Sequence, residues 1–183
     1  MSERPPPPQR QPQPQSQRQP DRRDPIEEAR RQWAAHGWGD AADGMVAVTS
    51  VMRAQQIMLA RVDDVLRPLG LTFARYELLM LLHFSARGSL PVTKASGRLL
   101  VHPTSVTNAV DRLQAAGLVV RRPHPTDGRG TLVEITVAGR TAALAATQRL
   151  NADVFSAPGL PPSGVHCLVD AIRELRRAAG DPA

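Results

Sequence analysis

The stretch from Pro103 to Thr136, PTSVTNAVDRLQAAGLVVRRPHPTDGRGTLVEIT, constrains the fold more than any other. It reads as a helix, a glycine stop, and two strands joined by a charged, glycine-rich loop. Pro103 suits the first helical turn, where a missing N–H costs nothing. Val106, Val110 and Leu113 recur four and three apart and so define one apolar face. Thr104, Ser105, Thr107, Asn108, Asp111 and Arg112 fall on the other face. Gly117 stands where a left-handed stop is wanted. Leu118 to Arg122 is β-branched and apolar at its start, and Pro123 is expected to break it. His124 to Gly130 carries turn chemistry, and Thr131 to Thr136 alternates, with Val133 and Ile135 on one side.

The remainder of the chain is helical by pattern. Asp24-Pro25 followed by Glu27 and Glu28 predicts a capped helix to about His36, ended by Gly37, with Trp33 in it and Trp38 after it. Asp40 to Leu69 predicts a long helix. Its apolar stripe, Met45, Val48, Met52, Leu59, Val62, Leu66 and Leu69, is widened by Val51, Met58 and Val65. A face that wide suggests packing on both a core and a second subunit. Thr72 caps a helix from Phe73 to about Ser85, and Thr93 a short one to Leu100. Gly97 weakens that short helix by about 1 kcal/mol against alanine, and His102 is an uncommon cap for the next. Thr136 caps a helix running to about Phe155, and Pro162 to about Ala179 carries the stripe Val165, Leu168, Val169, Ile172 and Leu175.

Composition narrows the function classes. The chain has 183 residues, a formal charge of +6 and a single lysine, Lys94. An arginine-rich basic chain suits a polyanion, nucleic acid before an anionic membrane; a solubilising surface is the plainer alternative. Met1 to Pro20 is proline, glutamine and arginine and is expected to be a solvated tail. Its Arg4, Arg10 and Arg18, with Arg22 and Arg23, could add salt-sensitive DNA contact. The start has no apolar signal-peptide core, no run approaches a membrane span, and Cys167 is the only cysteine. A cytoplasmic protein without membrane partners is therefore expected. Cys167 reads as a packed small residue on the last helix. No catalytic site is expected: no elbow of glycines surrounds Ser105 near His102, and Asp63 and Asp64 point in different directions on one helix. No metal or other cofactor is expected either, because the five histidines are scattered without a ligand-pair spacing.

The segments PTSVTNAVDRLQAAGLVVRRPHPTDGRG and ITVAGR together resemble the winged helix-turn-helix of the MarR (multiple-antibiotic-resistance regulator) family. The resemblance extends from about Val48 to Leu175. It implies a mainly α fold with a small β-wing, a winged helix-turn-helix plus a helical dimerisation region. The expected parts are a tail (residues 1–24), an N-terminal extension and long dimerisation helix (25–69), the DNA-binding domain (70–136) and C-terminal dimerisation helices (137–183). It also implies a homodimeric transcription regulator, a repressor released by a small aromatic or carboxylate effector. Its partner would be a pseudo-palindromic double-stranded operator. Thr104, Ser105, Thr107, Asn108 and Arg112 would read the major groove, with Arg121 and Arg122 beside them. Arg129 would enter the minor groove, oriented by Asp127. Trp38, Gln56, Tyr76 and His83 are the candidate effector residues; packing alone is the alternative for each. Urate-responsive relatives place an arginine where this chain has Ala109, so that ligand is not carried over. The rival reading is a winged-helix dimer scaffold that makes protein contacts without specific DNA binding.

Overall fold

In the computed structural model, residues 24–99, 103–124 and 130–181 are described. The chain divides into two units between Arg53 and Ala54. In the first, α1 (Pro25–Ala35) starts where the Asp24 carboxylate accepts from Ile26 N at 3.0 Å, and it ends before Gly37 at φ +82°. The beginning of α2 (Gly39–Leu66) follows. Arg30 on α1 pairs with Asp43 on α2 at 3.0 Å, and the Trp33 and Trp38 rings meet edge-on at 5.4 Å.

The second unit begins within α2, whose last turns bury Val62 and Leu66, and a 3-10 turn (Arg67–Leu69) closes the helix. Then come α3 (Phe73–Phe84), β1 (Ser89–Pro91), α4 (Val92–Leu99), α5 (Pro103–Ala115), β2 (Val119–Pro123), β3 (Thr131–Ile135), α6 (Val137–Leu150) and α7 (Pro162–Ala178). Thr72 caps α3 by accepting from Arg75 N, as its sequence position predicts. α4 starts one residue before Thr93, so that threonine lies inside the helix rather than at its cap. The His102 cap and Leu100 lie outside the described residues.

The three strands form an antiparallel sheet in the order β1-β3-β2, with Leu90 opposite Val133 and Arg121 opposite Val133 on the other side. Pro123 does not break β2; it pairs opposite Thr131. β2 is an edge strand, and an edge tolerates a residue that cannot donate to a neighbour. Val133 and Ile135 point into the core, as their alternation requires.

The core gathers Leu78, Leu79 and Leu82 of α3, Ala95 of α4, Val106, Val110 and Leu113 of α5, Val119 of β2 and Ala143, Ala146 and Leu150 of α6. On α6 the inward side chains are mostly alanines, and Leu144 is exposed. Small residues let α6 lie close to its neighbours. Gly139 makes the closest approach: a Cβ there would sit 2.0 Å from the Leu118 carbonyl oxygen. Beyond Leu150 the helix relaxes into a π-helical turn (Asn151–Phe155), and the Arg61 guanidinium donates to the Asp153 and Ala157 carbonyls at 3.3 and 2.7 Å. Cys167 is exposed on α7 rather than packed, because α7 buries none of its residues within this chain. Met52 on α2 and Leu175 on α7 are 58% and 57% exposed, so part of each apolar stripe remains uncovered.

Candidate nucleic-acid interface

α5 packs on the core through its inner face. Val106, Val110 and Leu113 are each no more than 1% exposed. Burying such a side chain contributes about 1.5–3 kcal/mol. Thr104, Ser105, Thr107, Asn108 and Arg112 share the outer, exposed face that the sequence predicts. Gly117 ends the helix at φ +70°. Its N–H donates to Gln114 O and that of Leu118 to Leu113 O, both at 2.9 Å, the pairing of a left-handed helix stop. The chain then turns directly into β2, which fixes the wing relative to α5.

At the foot of the wing the two predicted arginines are engaged within the protein. Arg121 donates to Asp111 Oδ1 at 2.5 Å and to Gln114 Oε1 at 2.7 Å, tying β2 to α5. Arg122 lies 3.4 Å from Glu134 across the β2–β3 ladder and stays exposed. Arg112 makes no ion pair among the described residues. The His124 N–H donates to Gly130 O at 3.0 Å and draws the two strands together. Asp127 and Arg129, the predicted minor-groove pair, lie outside the described residues, as do the arginines of the N-terminal tail.

Two open clefts flank α5. One, of about 590 Å³, lies between α4, α5 and the wing and is lined by Thr93, Lys94, Thr107, Arg121, His124 and Thr131, with Pro91, Val92 and Gly130. The other, of about 500 Å³, is lined by Thr72, Ala74 and Arg75 from the start of α3 and by Ser105, Asn108, Ala109 and Arg112 of α5. α5 therefore stands between two grooves, and its polar face contributes Thr107 to the first and Ser105, Asn108 and Arg112 to the second. The sequence reading did not assign Thr93, Lys94 or His124 to this surface. Lys94, as the single lysine next to a helix start, was the available signal.

The candidate effector residues do not line either cleft. Trp38, in the first unit, is 55% exposed and stacks on His36 at 5.7 Å. In the second unit Gln56 is exposed and Tyr76 is buried. The Tyr76 hydroxyl lies 3.0 Å from Thr147 Oγ1, which itself donates to Ala143 O at 2.9 Å. With that single proton committed, Tyr76 is the donor of the pair. His83 Nδ1 is buried and has no hydrogen-bond partner among the described residues. Nearby on α3, burial raises the Glu77 carboxyl above its ordinary range. Among the described residues no group of three or more His, Cys, Asp or Glu is placed to hold a metal, and no helix is long and apolar enough to cross a membrane.

A model of the MarR family matches residues 69–130, the span from the end of the 3-10 turn through α5 to the wing loop. Sco5413, a MarR family transcriptional regulator from Streptomyces coelicolor, is 50% identical over 77% of this chain and 98% of its own, with a TM-score of 0.70. The chain belongs to the MarR family of transcriptional regulators. Its winged helix-turn-helix is thus α4, α5 and the β1–β3 sheet of a MarR-family fold. Sco3205, a MarR family regulator from S. coelicolor in complex with DNA, shares that fold at 24% identity over 75% of this chain and 88% of its own, with a TM-score of 0.65. CouR from Rhodococcus jostii RHA1, bound to p-coumaroyl-CoA, matches at 27% identity over 68% of this chain and 87% of its own, with a TM-score of 0.58. Comparison with curated protein sequences gives no match.

Proposed function

We propose that this MarR-family protein is a homodimeric repressor that reads a pseudo-palindromic operator and is released from it by a small aromatic or carboxylate effector. The observation that carries the reading is the outer face of α5. Five short or cationic polar side chains, Thr104, Ser105, Thr107, Asn108 and Arg112, stand exposed beside two clefts, on a helix whose inner face is fully buried. Such a face suits the major groove, where Asn108 can pair bidentately with adenine and a threonine methyl can touch thymine. Two such helices in a two-fold dimer enter successive major grooves, so half-site centres about 10 bp apart are expected. The complex of Sco3205 with DNA supports the same use of the fold. The uncovered parts of the stripes on α2 and α7 support the dimer.

Asp127 and Arg129 are assigned to the minor groove by the wing motif alone. Within the second unit, an effector role for His83 is supported by its unpartnered Nδ1, a buried atom suited to a polar ligand group, and by the aromatic thioester bound to CouR. The test is selection of duplex fragments by the purified protein, followed by Asn108→Ala. The variant should relax preference at one position per half-site, costing about 1–3 kcal/mol there. Arg129→Ala should instead weaken binding to all sequences and flatten the salt dependence. A wild-type protein that selects no sequence and binds no duplex would leave the protein-scaffold reading in its place.

A further inference from the structure

The cleft at the foot of the wing is assembled from three elements. Lys94 comes from α4, Thr107 from the outer face of α5, and Arg121 and His124 from β2 and the residue after it. Thr93 and Thr131 add hydroxyl groups, and among the described lining residues none is a carboxylate. Arg121 has its guanidinium occupied by Asp111 and Gln114 at 2.5 and 2.7 Å, so it builds the wall and brings little uncompensated charge. Among the described residues lining the cleft, Lys94 is exposed and makes no ion pair. An ammonium point charge beside hydroxyl groups, with no acid among the described lining residues, suits a phosphate ester.

We infer that this cleft seats one backbone phosphate of the operator in each half-site, through Lys94, Thr93 and Thr107. The inference rests on the DNA-reading role of α5 and adds what sets that helix's register. Phosphate contacts position a protein on the duplex while base contacts specify sequence. Thr107 shares a wall with the cleft and is the neighbour of Asn108. A phosphate gripped there therefore fixes how far Asn108 stands from its base edge. A small phosphorylated molecule has the same chemistry as the DNA backbone, and the experiment separates the two sources.

The experiment uses full-length protein and operator duplexes in which single phosphates are replaced, one at a time, by methylphosphonate. For the wild type, one position per half-site should weaken binding about tenfold when neutralised. Lys94→Ala should weaken binding to the unmodified duplex by a similar factor and be indifferent to that one position. Its salt slope should fall by about one for each subunit, as loss of one phosphate contact requires. Arg149→Ala removes another exposed cation, from α6 and outside the cleft lining, and should keep the wild-type slope and the wild-type response to methylphosphonate. Lys94→Ala with the wild-type slope and the same sensitivity at every position would overturn the inference while leaving the DNA reading intact. So would competition by AMP at micromolar concentration without any methylphosphonate-sensitive position, which would assign the cleft to a small phosphate ester. Failure of the wild type to bind any duplex would overturn both.

Discussion

Gly139→Ala should destabilise the protein although it replaces glycine by the best helix former. Alanine in a helix interior is favoured over glycine by about 1 kcal/mol. At position 139, however, the new Cβ would lie 2.0 Å from the Leu118 carbonyl oxygen, 2.9 Å from Ile135 Cγ1 and 3.0 Å from the Leu118 carbonyl carbon. Carbon and oxygen in contact normally stay about 3.3–3.6 Å apart, so α6 and that carbonyl must separate by roughly 1.3 Å. The same carbonyl accepts from Thr136 N at 3.1 Å and shares the Thr136 hydroxyl proton with Gly117 O, and Thr136 Oγ1 accepts from Gly139 N at 3.0 Å. Losing two such bonds costs about 1 kcal/mol each, and overpacking adds about 1–3 kcal/mol. After the helix gain is subtracted, the net loss is about 2–4 kcal/mol. Gly97→Ala is the internal control, because nothing lies within 4 Å of a Cβ at that helical position. It should gain about 0.5–1 kcal/mol. Urea unfolding at one fixed protein concentration reads both, as opposite shifts of the midpoint at unchanged slope. A Gly139→Ala midpoint at or above that of the wild type would refute the argument.

Other variants test separate parts of the structure. Glu77 is raised by burial, so its contribution to stability is present below the ordinary glutamate range and is lost as pH rises through its folded value. Glu77→Gln should therefore melt higher than wild type at pH 7, with the gap narrowing towards pH 4; a gap independent of pH would show that desolvation of this carboxyl is not the cause. Asp111→Asn and Arg121→Met should be non-additive in unfolding free energy by about 0.2–1 kcal/mol, the range for a solvent-exposed pair, and strict additivity in a double-mutant cycle would show that the pair does not tie β2 to α5. Met52→Glu places a charge on the uncovered part of the α2 stripe. Sedimentation at micromolar concentration should then show monomer or unfolded chain where the wild type is dimeric, and a wild type that sediments as a folded monomer would remove the dimer.

Much of the molecule was legible from local chemistry. Asp24, Thr72 and Thr136 cap helices where their spacing predicts, because a cap acts within three residues of itself. Val106, Val110 and Leu113 are buried because helical period alone puts them on one face. The same period exposes Thr104, Ser105, Thr107, Asn108 and Arg112, so most of the proposed DNA-reading surface was written in the chain. Tertiary structure decided the rest. Pro123 stays in a strand only because the sheet order leaves β2 at an edge, which no local pattern encodes. Arg121 could be counted as a surface cation from the sequence, but its partners Asp111 and Gln114 sit on another element. Gly139 is demanded by a carbonyl 21 residues earlier in the chain, and the cleft beside Lys94 exists only where α4, α5 and the wing converge. Caps and helical faces arise from neighbours within one turn. Edges, clefts and close backbone approaches depend on which distant segments the whole core brings together, and that is settled only when the chain closes on itself.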